Sequence, residues 1–407
     1  MRGLIMRNLF LVLAAIAAIF VGLGVGIAQG PHGPNPAMND PDQQAWRLFL
    51  AVNQKAVRPG ANDALFETWA SDGDTFKPVP VWPTTPSAVK SAPRALSFVL
   101  RAAHAAHTGP IVEVVPGGGD LVTEETRHNR PDFDFIKNND LFKVSGLQAA
   151  FTAGKTLSFP IDSMEVKANW VEVGQLKTFN GFTGTPADAA KIYHVNSAGG
   201  KQYALVAFHI ISKLVPNWTW ATFEHRFNPA RCDILGCKDA FGAQPAFVPS
   251  NRVASQGYPD CAKTPALTAL LSAANIEPVY VNYCLKGSQA DFVDNVGLDI
   301  RVGNSVTEDG FVATASCMTC HGRSVFDKNG KATSRAGFLS FTANGPIGPL
   351  GPLLPAWYWN FSSQPPIFEG KAGLTQLATS ADFVWSVPFC AIDDTQNPIP
   401  DSPCAGK

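Results

Sequence analysis

The sequence predicts an α+β fold, with N-terminal helices packed on an antiparallel sheet and a mostly helical region from residue 301 onward. Three observations carry this reading. Apolar stripes at helical spacing lie ahead of residue 155. Three segments rich in aromatic and aliphatic residues, with period-two stretches, fall between 160 and 230. The tetrapeptide Ser305-Val306-Thr307-Glu308 has the capping-box form that starts a helix, and it leads into a Cys-x-x-Cys-His motif.

The chain opens with a targeting pattern. Arg2 and Arg7 precede an uncharged run from Leu9 to Ala28, and Gly26-Ile27-Ala28 is an acceptable small-residue cleavage site. Residues 1–28 therefore read as a signal peptide. The rival reading is an uncleaved anchor, since the run is long enough to span a bilayer. Either way the arginines stay inside, and the rest of the chain is expected in the periplasm, touching a membrane only through this segment. Residues 29–39 read as a flexible lead-in.

Residues 40–300 are expected to form the α+β domain. Asp40 as N-cap and Pro41 at the first helical position start a helix with Trp46, Leu48, Phe49 and Val52 on its apolar face. "DALFETWASDGDTF" predicts a short helix and a turn. "SAPRALSFVLRAAHAAHTG" predicts another helix, with His104 and His107 on one face near its C-terminus. "EETRHNRPDFDFIKNNDLFKVSGLQAAFTAG" reads as mainly helical. Strands follow at 162–173, 201–213 and 217–227, the last two as a hairpin. Strict alternation puts His209 with Tyr203, Leu205, Ala207 and Ile211. It opposes Glu165 and Lys167 to Met164, Val166 and Trp170, and Glu224 to His225. Residues 228–300 look irregular, and "GPIGPLGPL" at 345–353 reads as an extended polyproline-type loop.

Composition excludes one class of function. The net charge is −1 and only 16% of residues are charged, without the basic excess of a nucleic-acid binder. Of eight cysteines, two sit in the C-x-x-C-H motif. The other six suit disulfides in an exported chain. Fifteen pairings are open to six cysteines. Neighbour pairing is the expectation: Cys232 with Cys237, Cys261 with Cys284, Cys390 with Cys404.

The motif, Cys317-Met318-Thr319-Cys320-His321, carries the chemistry. Two thiols three positions apart on a helical turn can add to the two vinyl groups of one haem, and the next residue places an imidazole under the iron. With eight Cys and eight His in the chain, chance would produce this spacing about 0.003 times. A zinc site would need further ligands, and no second C-x-x-C is present. One covalent haem c is expected on Cys317 and Cys320, with His321 as iron ligand. An electron-transfer cytochrome normally has Met or a second His opposite. The 86 residues after His321 contain neither. The other ligand is therefore an upstream residue (Met164, His194, His209 or His225), or an oxygen donor such as Tyr358, or the iron is open. A polar stripe of Glu165, Lys167, Glu224 and Arg226 is the candidate lining for a cavity facing the haem.

Seven strings occur in order: "SMEVKANW", "LVAFHIISK", "WTWATFEH", "ADFVDNVG", "VGNSVTEDG", "SCMTCHGRS" and "DFVWSVPF". Together they resemble exported bacterial single-haem cytochrome c family proteins, over about residues 40–390. The resemblance implies covalent haem on Cys317 and Cys320, ligation by His321 and redox activity, with residues 301–407 as a cytochrome c-like haem region. It assigns no role to the other strings and names no substrate. The expected function is electron transfer with a redox partner protein or a small-molecule substrate. The alternative is a haem enzyme, peroxidase- or oxidase-like, with Glu224 or His225 moving protons.

Overall fold

In the computed structural model, the residues described are 35–57, 62–85, 121–250, 260–309, 312–332, 341–342, 345–346, 350–355, 358–361, 374–395 and 404. The expected signal peptide and the helix expected around His104 and His107 lie outside them. Among the described residues, no helix is long and apolar enough to cross a membrane.

A seven-stranded antiparallel sheet organises the molecule. Its strands are β1 (Ala70–Ser71), β2 (Val122–His128), β3 (Met164–Glu172), β4 (Val195–Ala198), β5 (Lys201–Ser212), β6 (Thr219–His225) and β7 (Tyr283–Gln289). The order is β1-β2-β3-β5-β6-β7, with β4 pairing the start of β5. The predicted hairpin forms, with Ser212 opposite Thr219. β4 and β5 are joined through Gly199 and Gly200, at φ 56° and 78°. A two-residue hairpin turn needs that left-handed geometry at both positions.

Strict alternation fails in β5. The β3–β5 register shifts between Asn169 and Trp170, which face Ala207 and Leu205, so Val206 is an extra residue. A bulge of this kind moves everything beyond it to the other face. Tyr203 and Leu205 therefore join Phe208 and Ile210 in one cluster, and His209 keeps only Ala207 and Ile211 beside it.

That cluster covers one face of the sheet. Helix α1 (Pro41–Val52) buries all four predicted stripe residues there. Phe49 touches Phe208, Phe223 and Tyr280, with ring centroids 4.7–5.6 Å apart. Asp40 occupies the N-cap position of α1 without a side-chain capping bond. The opposite face packs, at one end, on Ile136 of α2 (Arg130–Asn138), Leu147 of α3 (Val144–Thr152), Trp218 and the motif residues Cys317 and Met318.

Several expectations are corrected. "EETRH" is not helical. It is the end of β2, drawn into the sheet by pairing with β3 from Val122 to His128. The lead-in is ordered at its end: Pro36–Asn39 form a helical turn capped by the Asn35 side chain, and Ala37 is buried. The segment 228–300 holds a helix, α4 (Pro265–Ala273), and the sheet strand β7. "DALFETWASDGDTF" gives a 3-10 turn at Leu65–Thr68, then β1 and a helical turn at Asp72–Thr75.

The mostly helical C-terminal region is absent from the described residues. Beyond 300 they contain a 3-10 turn at Val312–Thr314 and two five-residue helices, α5 (Cys317–His321) and α6 (Ser386–Cys390); the rest is turns and short ladders. The capping box does not start a helix because Ser305 is used elsewhere. Its N–H and Oγ both donate to Glu224, at 2.6 and 2.8 Å. Asn304 takes over the turn, its Oδ1 accepting from the N–H groups of Val306 and Thr307. Gly345–Pro346, in the Gly-Pro-rich stretch, pair with Phe341–Thr342.

Candidate functional site

Helix α5 lies against the sheet face opposite α1. Its first turn is fixed by Gln289 of β7, whose Oε1 accepts from Met318 N–H at 3.1 Å and whose Nε2 donates to Ser316 Oγ. Met318 is fully buried in the core. Thr319 Oγ1 donates to the Gly351 carbonyl at 2.7 Å. Tyr358 donates its hydroxyl to the Gly322 carbonyl at 2.7 Å, so that phenol is already engaged.

The six other cysteines pair as neighbours, Cys232–Cys237, Cys261–Cys284 and Cys390–Cys404. Cys317 and Cys320 remain free thiols. Cys317 sits 3.4 Å from the Val302 carbonyl, and burial pushes the Cys320 thiol up to about 12.

The His321 ring is held in one orientation. Its Nδ1 lies 2.9 Å from the Phe383 carbonyl. A carbonyl can only accept, so Nδ1 carries the hydrogen and Nε2 keeps its lone pair. Burial pushes the imidazole down to about 3, so the ring is neutral. The Trp220 ring packs against it, centroids 4.5 Å apart. The Phe383 carbonyl is itself aimed by an unusual loop. Asp382 and Phe383 are non-glycine residues at φ 53° and 73°. Such positions persist only when the surroundings hold them. Here Asp382 accepts from Lys213 Nζ at 2.6 Å and from Phe159 N–H at 2.7 Å.

The sheet face beside His321 is polar. A small cleft of about 60 Å³ is lined by Asp72, Glu124, Glu165, Lys167, His321 and Trp385, among others. Lys167 Nζ stands 3.3 Å from Glu124 Oε2. Along the same face, His209 Nε2 is 3.2 Å from Glu308 Oε1 and 3.4 Å from Asn304 Nδ2. Burial would raise the Glu308 carboxyl, but neighbouring His209 and the Asn304 N–H outweigh it and hold the group below its ordinary value.

Of the upstream donors named from the sequence, His209 alone is brought to the side of His321. Met164 packs in the α1 cluster. His194 lies between Glu67 and Glu277. His225 stacks on Tyr193 at 3.8 Å and meets the Ile192 carbonyl. The predicted stripe splits. Glu165 and Lys167 reach the cleft, Glu224 is fully buried beneath Ser305 and Lys286, and Arg226 lies over the Phe227 ring. A larger groove of about 790 Å³, between Met38–Gln43 and residues 286–303, includes no motif residue in its walls.

The donor set fits a covalently held haem: two unpaired thiols on one turn and an imidazole whose other nitrogen is held by a carbonyl. The cleft, at about 60 Å³, is too narrow for a macrocycle. Comparisons with protein-family models, with curated proteins and with solved structures return no match.

Sequence reasoning missed Phe383, Asp382 and Lys213, which orient His321. A signal was there. The strings "LVAFHIISK", "WTWATFEH", "VGNSVTEDG" and "DFVWSVPF" supply Lys213, Trp220, Asn304 with Glu308, and Asp382 with Phe383. All four converge on the motif.

Proposed function

We propose that this chain is an exported c-type haem protein that carries one haem on Cys317 and Cys320, binds its iron through His321 and takes part in electron transfer. The observation that carries the reading is the state of the motif. Its two cysteines are the unpaired ones, and its histidine is locked in the tautomer that frees Nε2. When bound, the haem supplies a one-electron iron couple. The chain's own residues then hold the imidazole against rotation, through the Phe383 carbonyl and the Trp220 ring. The electron partner is a redox protein or a small molecule. The compartment proposed is the periplasm, with the N-terminal segment cleaved or retained as an anchor.

A second reading, a haem enzyme with an accessible iron, is favoured by the cleft lining. Glu165 and Lys167 beside His321 are groups that can bind a polar substrate or move protons. In this reading Glu224 and His225 have no part, since both are buried away from the cleft.

The test is the protein expressed with a haem-attachment pathway. The first reading expects a chain whose mass keeps one haem after acid denaturation. The double substitution Cys317→Ser, Cys320→Ser should abolish that mass. A wild-type chain without the added mass refutes both readings. Carbon monoxide then separates them. No binding to the reduced protein, lost stability of the low-spin spectrum in His209→Ala, and unchanged spectra in Met164→Leu identify a carrier with His209 on the iron. Rapid binding identifies the open-iron enzyme.

A further inference from the structure

We propose that the buried cluster of His128, Asp132 and Glu165 binds one divalent first-row transition-metal ion, separately from the haem motif. The cluster is built by sheet register. His128 ends β2 and stands opposite Glu165 of β3 on one side and Ala70 of β1 on the other. Asp72 follows β1, and Asp132 lies in the first turn of α2. Three carboxylates thus surround one imidazole. His128 and Asp132 are 0% exposed, and Asp72 and Glu165 are 4%.

The hydrogen bonds around the ring do not close. His128 Nε2 is 3.0 Å from Asp72 Oδ1. A carboxylate oxygen accepts, so Nε2 carries a hydrogen, and Ser386 Oγ donates to the same oxygen at 2.8 Å. In the neutral ring Nδ1 is then a bare lone pair. It faces Asp132 Oδ1 at 3.0 Å and Glu165 Oε1 at 3.2 Å. Glu165 Oε1, though within reach of Nδ1, and Asp132 Oδ2 are buried without a hydrogen-bond partner. Even a protonated ring has one Nδ1–H for two carboxylates. Leaving a charged oxygen unpaired in the interior is expensive.

A cation among the three donors removes the conflict. Metal bonds of about 2.1 Å separate neighbouring donors of a tetrahedral ion by about 3.4 Å. The observed 3.0 and 3.2 Å need only a small opening. One imidazole and two carboxylates suit zinc or manganese better than a soft, thiolate-seeking ion. Asp72 on Nε2 is the outer carboxylate that commonly orients a metal-bound histidine. Asp72 and Glu165 also line the cleft beside His321, which gives an ion a way in.

The test uses the full exported protein, stripped with EDTA and dialysed against Zn²⁺ or, separately, Mn²⁺. Zinc and manganese are counted by elemental analysis apart from iron, so the result does not depend on haem attachment. About one ion per chain is expected, with a rise in Tm. Asp132→Asn with Glu165→Gln should lose the ion, and Asp72→Asn should weaken binding about 10- to 100-fold. If the folded wild type retains neither ion and its Tm does not move, the proposal is overturned and the cluster is a protonated His128 shared among carboxylates. That wild-type measurement decides even if a variant fails to fold.

Discussion

His194 and His225 are neighbours in the same apolar region and have opposite electrostatic fates. Burial alone would lower His194, but the charge of Glu67 and the bond to Glu277 overcome it and hold the ring up to about 9. His225 has no such partner, and burial pushes it down to about 3. The unfolded value for both is about 6.5. The stability that His194 contributes is therefore complete below pH 6.5 and decays as pH rises through 9. His225 acts in reverse, and stability is lost as pH falls from 6.5 toward 3. Urea midpoints measured across pH 6 to 9 should fall less steeply in His194→Gln than in the wild type. The buried pair Lys213–Asp382 governs a different residue. Asp382→Ala strands a buried ammonium and releases a left-handed backbone, so a loss of about 3–5 kcal/mol in denaturant unfolding is expected. The strings "LVAFHIISK" and "DFVWSVPF" hold these residues, but their pairing was not legible from the sequence, because a lone Lys or Asp gives no sign of a partner 169 positions away. Cys317, Cys320 and His321 stand out in the sequence because their spacing is confined to five consecutive positions, and the structure keeps them on one helical turn.

Elements were legible where a local pattern and the tertiary environment agreed. Helix α1 and strands β3, β5 and β6 carry their own periodicity, and each formed. "EETRH" has no apolar alternation to mark it, and only the β3 partner makes it a strand. β7, "YCLKGSQ", is equally silent: a Lys and a Gly interrupt it, and its first three residues and Lys286 are buried by β6 and α1 rather than by intrinsic preference. The bulge at Val206 was likewise invisible, since nothing in "YALVAFHI" marks an extra residue. The Cys261–Cys284 bridge anchors β7 to the chain ahead of α4 and closes a loop with sequence separation 23. The double substitution Cys261→Ala, Cys284→Ala should therefore cost about 3 kcal/mol in urea unfolding, by chain-entropy reckoning. It should also raise hydrogen exchange in β7 before β3, which lies inside the sheet.

At the scale of the whole molecule, the sheet separates two environments. One face is an aromatic core under α1. The other carries buried charge, the thiol-bearing turn and the His128 cluster. Phe208→Ala, at the centre of the aromatic face, should cost about 3–5 kcal/mol and leave the ultraviolet signature of the sheet intact in what remains folded. The α+β class and the antiparallel sheet could be read from periodicity. The C-terminal region could not, because its turns are held by side chains from distant strands, as Glu224 holds Ser305 and Gln289 holds Met318. The burial of Cys317 has a consequence for biogenesis. Its sulfur faces the Val302 carbonyl and its side chain is part of the core, so no lyase can reach it once folding is complete. Thioether formation, on the reading given above, has to precede closure of the polypeptide. An apoprotein folded first and then offered haem and reductant should stay colourless after acid extraction, whereas the nascent, unfolded chain should not.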